Sequence, residues 1–157
     1  MNLLVLNLLL ALAWMGFNAD FSLGGFAAGF VLGHGVLWLG RPLYPNQRYF
    51  RLLWGSLGYF LWLLKEIVLS SLKVTASVLG FGAKVQPAVI AIPLDARTDL
   101  EITLLACSIT LTPGTLTLDV SPDRKHLYIH AMFGGDAAAL CAETKDSMER
   151  RILEVLR

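Results

Sequence analysis

Five side chains in this sequence could do acid–base, metal or thiol chemistry near neutral pH: His34, His126, His130, Cys107 and Cys141. His126 and His130 stand four residues apart, a metal-binding spacing on a helix, but the residues around them alternate as a strand. On a strand they share one face roughly 13 Å apart at about 3.3 Å per residue, too far to hold one ion. Two cysteines make neither a disulfide framework nor a four-cysteine zinc site. Each falls in an apolar helical stripe, where cysteine packs as a small apolar side chain. There is no G-x-S-x-G and no G-x-x-x-x-G-K-[ST], and Gly80-Phe81-Gly82 lacks the third glycine of a dinucleotide fingerprint. No catalytic residue, metal site or cofactor is expected.

His34 differs because of its setting. The first 40 residues hold one charge, Asp20, which divides them into apolar runs from Leu3 to Phe17 and Phe21 to Leu39. Each is near the roughly 20 residues a helix needs to cross a bilayer. No basic residue precedes the first run and a second follows at once, which argues against a cleavable signal peptide. An ionisable side chain inside such a run marks either a functional site or a polar partner across a helix interface; the hairpin supplies no further acid or base, which favours the second. Beside His34, Gly25, Gly29 and Gly33 recur at intervals of four, a doubled G-x-x-x-G that lets another helix approach to backbone contact.

The chain has 157 residues, a net charge of +1, 55% hydrophobic and 16% charged residues. Soluble domains carry about 25% charged residues, and the near-neutral balance gives no sign of nucleic-acid binding. The average conceals a division: Met1 to Ala83 has five basic and two acidic residues, and Lys84 to Arg157 has eight basic and ten acidic. The loop after the second run carries Arg41, Arg48 and Arg51 with Pro42 and Pro45 as breakers, so the positive-inside rule places it in the cytoplasm. From Tyr49 to Gly82, polar residues including Lys65, Glu66, Ser70 and Lys73 share one side of a helix, with Leu, Trp, Phe and Val on the other. That stripe predicts an amphipathic helix at the membrane interface, with a third span as its alternative.

After Pro87 the pattern becomes one of short elements. Ala88–Leu94 reads as a strand, and Thr98 to Glu101 is a capping box opening a helix to about Leu111. Pro113-Gly114 stops it; Thr115–Ser121 and Leu127–Ala131 alternate as a hairpin, and Asp136 caps a last helix. The first of these helices is apolar on two sides: Leu100, Leu104, Cys107 and Leu111 on one, Ile102, Leu105 and Ile109 on the other. One side must meet something outside the domain, either the bilayer surface or another subunit. The reading is therefore a membrane α-helical hairpin (1–40), a basic loop with an interfacial amphipathic helix (41–83), and a small α+β cytoplasmic domain of βαββα order (84–157).

The run Ser108-Ile109-Thr110-Leu111-Thr112-Pro113-Gly114-Thr115-Leu116-Thr117, followed by Leu118-Asp119-Val120 and by the strand Leu127–Ala131, resembles the E subunit of the multisubunit Na+/H+ (cation/proton) antiporters of the Mrp or Mnh type. The likeness extends over nearly the whole chain. It departs at the hairpin turn, where Asp123-Arg124 stands in place of Asp-Gly or a similar pair. The resemblance implies an accessory subunit of a bacterial inner-membrane complex that exchanges sodium for protons. Its implied partners are large complex-I-like subunits, which carry the ion path, the small F and G subunits, and membrane lipid. Within the motif, Ser108, Thr110, Thr112, Pro113, Gly114 and Thr115 are expected to form a docking or rigid-turn element, since Pro113 fixes φ and Gly114 permits a tight reversal. The competing reading is a membrane-anchored cytoplasmic enzyme or lipid-binding module.

Overall fold

The structure is a computed structural model that describes residues 2–44, 47–82 and 84–157; Pro45, expected from sequence to act as a breaker, lies outside the described residues. The chain divides into two compact units, 1–54 and 55–157, and the division falls inside a helix, whereas the charge balance changes at Lys84.

In the first unit, α1 (Leu3–Asn18) and α2 (Leu23–Leu39) are joined by a tight turn. Asn2 caps α1 by accepting from Leu4 N at 3.2 Å, and Ser22 caps α2 by accepting from Gly25 N at 3.0 Å. Ala19 closes α1 in the left-handed conformation (φ 51°), with Asp20 N returning to the Met15 carbonyl at 3.1 Å. The buried residues recur every four positions on both helices: Leu3, Asn7, Ala11 and Met15 on α1, Gly25, Gly29, Gly33 and Leu37 on α2. The two rows meet antiparallel, so Gly33 faces Asn7 and Gly29 faces Ala11. Most of the other large side chains on the pair, from Leu4 to Leu39, are exposed, with Leu6, Leu10, Phe26, Phe30 and His34 half-buried. At about 1.5 Å per residue, 16 and 17 residues give about 25 Å each, slightly under the roughly 30 Å of a bilayer core. After a 3-10 turn at Arg41–Leu43 comes α3 (Arg48–Val78), 31 residues long and the one described helix with the length and composition to cross a membrane.

In the second unit, the part of α3 from Gly55 onward is followed by β1 (Ala88–Pro93), α4 (Asp99–Leu111), β2 (Thr115–Val120), β3 (His126–Ala131), α5 (Ala137–Glu143) and α6 (Arg150–Leu156). The sheet is antiparallel with β3 central, Ile90 opposite Ile129 on one side and Thr115 opposite Ala131 on the other. Its covered face, Ile90, Ile92, Leu127, Ile129 and Ala131, packs with Leu105 and Ile109 of α4 and Met148 and Ile152 of the last helices. The predicted single last helix contains a π turn at Thr144–Glu149 between α5 and α6. Such a turn changes the angular register of the residues beyond it, and Glu149 is buried beneath the loop after β1. At the β2–β3 turn, Arg124 has φ 58°, the left-handed geometry that a glycine would adopt at least cost.

Two buried carboxylates hold that loop. Glu149 Oε1 accepts from Asp95 N and Ala96 N at 2.7 and 2.8 Å. Glu101 Oε2 accepts from Arg97 N and Thr98 N at 2.7 and 3.0 Å, completing the capping box, while Arg157 Nε donates to Glu101 Oε1 at 3.0 Å. The Arg157 guanidinium, followed by the two backbone N–H groups, lowers the Glu101 carboxyl to about 2. A folded-state value below the unfolded one gives stability that is full above about pH 4.5 and lost as pH falls toward 2. In thermal melts of the purified chain between pH 5 and 2, Glu101→Gln should lower the midpoint at pH 5 and flatten its decline toward pH 2.

Candidate functional site

The polar residues inside the first unit converge on one hydroxyl. Asn7 Nδ2 donates to Tyr49 Oη at 2.8 Å, and Tyr49 Oη lies 3.0 Å from His34 Nδ1. An amide N–H only donates, so the tyrosine accepts from Asn7, and its own hydrogen is free to go to His34 Nδ1. The His34 ring sits among Tyr49, Phe50 and Trp54, with centroids 5.6, 5.4 and 5.7 Å away. Neither His34 Nε2 nor Asn7 Oδ1, both buried, has a hydrogen-bond partner among the described residues. A Cβ at Gly33 would overlap the Asn7 carboxamide oxygen, so the amide fits only because position 33 has no side chain. The site ties α1, α2 and the start of α3 together, and the three side chains that meet there include no carboxylate or lysine.

The glycines have a packing geometry. A Cβ on Gly29 would stand 2.9 Å from the Ala11 carbonyl oxygen and from Trp14 Cβ, and one on Gly25 would strike the Asp20 backbone and carboxylate. Gly29 and Gly33 thus face α1 of their own chain, and Gly25 faces the turn that joins the two helices. Asn7 and Tyr49 were not singled out from sequence. A lone amide in an apolar run was the available signal, but periodicity does not say which distant residue completes it.

The hydroxyl-rich motif closes the end of α4. Ser108 Oγ donates to Leu104 O at 2.7 Å, Thr112 Oγ1 to Ser108 O at 2.8 Å, and Thr115 Oγ1 to Ile109 O at 2.7 Å. Thr117 Oγ1 donates to Ala106 O at 3.0 Å, and Thr110 Oγ1 accepts from Thr117 N at 3.2 Å. Since the hydrogen of Ser108 goes to Leu104, the Tyr59 hydroxyl of α3 is the donor in their 2.5 Å contact. Gly114 reverses the chain at φ 95°, and its carbonyl accepts from Met132 N at 2.8 Å. On α4, Ile102, Leu105 and Ile109 are buried, whereas Leu100 and Leu111 are each 57% exposed and Cys107 is exposed. His126 and His130 are half-buried on the opposite face of the sheet from the helices, and among the described residues no three His, Cys, Asp or Glu side chains gather as metal ligands.

An apolar helix pair joined by buried polar groups, followed by a small sheet domain with an uncovered apolar helix face, is the arrangement of a subunit that leaves apolar surface for partners. The family described as Na+/H+ ion antiporter subunit (MNHE) matches residues 7–155. The E subunit of the Na+/H+ antiporter of Bacillus subtilis is 37% identical over 154 residues, and that of Alkalihalophilus pseudofirmus is 34% identical over the same length. In both cases the match covers 98% of this chain and 98% of the relative. A chain in the structure of the Mrp complex from Dietzia sp. is 30% identical with a TM-score of 0.51, covering 65% of this chain and 96% of that one. A chain of an archaeal membrane-bound sulfane sulfur reductase shares the fold at a TM-score of 0.57, with 20% identity and 96% of each chain covered. The chain belongs to the family of Na+/H+ antiporter E subunits.

Leaving a buried polar group unpaired costs about 1–3 kcal/mol. Tyr49→Phe strands both Asn7 and His34, so it should destabilise the purified protein by about that amount or more, read as a fall in thermal midpoint in detergent. Tyr44→Phe, outside the network, serves as the control and should shift the midpoint little.

Proposed function

We propose that this chain is an accessory subunit of a multisubunit Na+/H+ antiporter, one that braces the assembly and supports exchange without carrying the main ion path. The observation that carries this reading is the short Asn7–Tyr49–His34 network, which ends within the helix pair. An ion path through a bilayer uses charged or titrating groups in sequence, whereas here a single histidine shares one hydroxyl with an amide and its ring lies among Tyr49, Phe50 and Trp54. His34 serves helix packing on this reading. Partners are the other antiporter subunits, the large complex-I-like ones and the small F and G subunits, and the apolar stripe of α4 at Leu100, Cys107 and Leu111 is a surface for one of them.

The same reading puts α1 and α2 in the bacterial cell membrane as a hairpin, α3 at the interface and the sheet domain in the cytoplasm. From Gly55 to Lys73, one side of α3 meets the domain: Gly55 lies against Val155, Tyr59 bonds Ser108, and Trp62 lies under the Arg151 guanidinium at 5.0 Å. The other side, Leu57, Leu61, Leu64, Val68 and Leu72, is exposed. A helix crossing the bilayer over this length would draw a charged domain in with it; a helix lying on the surface satisfies both faces.

Expressed alone, the chain should catalyse no sodium-dependent proton movement in vesicles, and a tagged copy should co-purify the other antiporter subunits; robust exchange by the isolated chain overturns the accessory role. His34→Ala should weaken that co-purification, and unchanged assembly and exchange would remove any role for His34. For topology, Lys84→Cys in a Cys107→Ser, Cys141→Ser background should react with an impermeant maleimide only from the cytoplasmic side. Reaction from outside would make α3 a third span.

A further inference from the structure

Between α3 and the covered face of the sheet lies a cavity of about 470 Å³. Its deep wall is apolar, formed by Ile109, Ile129, Leu140 and Met148, and the Thr112–Thr115 turn and the π turn border it. From α3 it is lined by Glu66, Ser70 and Lys73, and toward the end of that helix by Ala76 and Gly82. The volume falls within the roughly 300–1,000 Å³ of small-molecule sites, and apolar voids of about 150 Å³ already take up organic molecules. The side chains that neighbour that end in sequence, Val78, Leu79, Phe81 and Val85, are apolar and exposed. No ion pair engages Lys73, Glu66 or Glu143 among the described residues, and all three line the cavity.

We propose that this cavity holds an acyl chain of a zwitterionic membrane phospholipid, which enters past Phe81 and lies against Ile109, Leu140 and Met148. Lys73 supplies the cation for the phosphate, and Glu66 and Glu143 face the ammonium. The lipid links α3 to the sheet domain where direct packing leaves a gap, and it places the hydroxyl-rich turn beside the ligand as well as at the helix end. The inference holds whichever subunits conduct the ion.

The test uses the antiporter complex purified through this chain and reconstituted in phosphatidylethanolamine–phosphatidylglycerol vesicles containing a trace of phosphatidylethanolamine with a diazirine on its acyl chain. After irradiation, the lipid should be found attached within 109–115 and 140–148. Ala131→Phe and Ser147→Phe, which fill the cavity from the sheet and from the π turn, should each lower that labelling by roughly tenfold, and Lys73→Glu should lower it as well. Attachment confined to α1, α2 and the outer stripe of α3 overturns the proposal, and it is the outcome expected if a partner's side chains fill the space. Labelling unaffected by the filling variants overturns it too. Should either variant fail to assemble, the labelled positions in the unsubstituted complex decide by themselves.

Discussion

The helix α3 has two faces that need different surroundings, and the second unit is built around that requirement. One face carries Gly55, Tyr59, Trp62, Glu66, Ser70 and Lys73, a mixture of small, amphipathic and charged groups that water or a protein surface accepts. The opposite face, Leu57 to Leu72, would expose a continuous apolar stripe in water. Fully burying one leucine-sized side chain is worth about 1.5–3 kcal/mol, so a stripe of five or more dictates where the helix can rest. Packing the sheet domain on the polar side leaves the apolar side for lipid or for another subunit. The short, hydroxyl-bearing contact between Tyr59 and Ser108 fits that division, since it fixes the domain to α3 through a directional bond without burying a charge.

The hairpin solves a different problem. With the hairpin placed in lipid, as proposed, the hydrophobic effect gives its two helices no reason to associate, so close backbone approach and hydrogen bonds must do it. Gly25, Gly29 and Gly33 provide the approach, and Asn7 provides the bond. These are not independent, because the Asn7 amide occupies the space that a side chain at 33 would take. With the glycine face engaged inside the chain, association with other subunits falls to the remaining surfaces, of which the outer stripe of α4 is apolar and uncovered.

Local order was legible in the sequence wherever one element could be read by itself. The Thr98–Glu101 capping box, the two-residue alternation of Leu127, Ile129 and Ala131, and the two-sided apolarity of α4 appear in the structure where the residues indicated. The pairings between distant residues were not legible: Tyr49 with Asn7 and His34, Glu149 with the backbone at 95 and 96, and β3 between β1 and β2. Periodicity reports which face of an element is apolar and carries nothing about which element will meet it. The π turn was hidden for a related reason, since its last residue, Glu149, bonds a loop more than fifty residues earlier in the chain.

The serine and threonine pattern after α4 follows from hydrogen-bond accounting. A helix leaves its last four carbonyls without helical partners, and at a buried end water cannot supply them. Ser108, Thr112 and Ile109 lie at that end and are buried. A proline at 113 prevents the chain from continuing the helix and provides no donor of its own, so beyond the Thr112 N–H that returns to the Ile109 carbonyl the further donors come from side chains. Thr115 and Thr117 return from β2 to the Ile109 and Ala106 carbonyls, and Thr112 and Ser108 bond backward within the helix. Each hydroxyl is short enough to reach a carbonyl only from its own position, which ties residue type to position across the segment. A motif of this kind is explained by the need to end a buried helix against a sheet, and it requires no reaction at those residues.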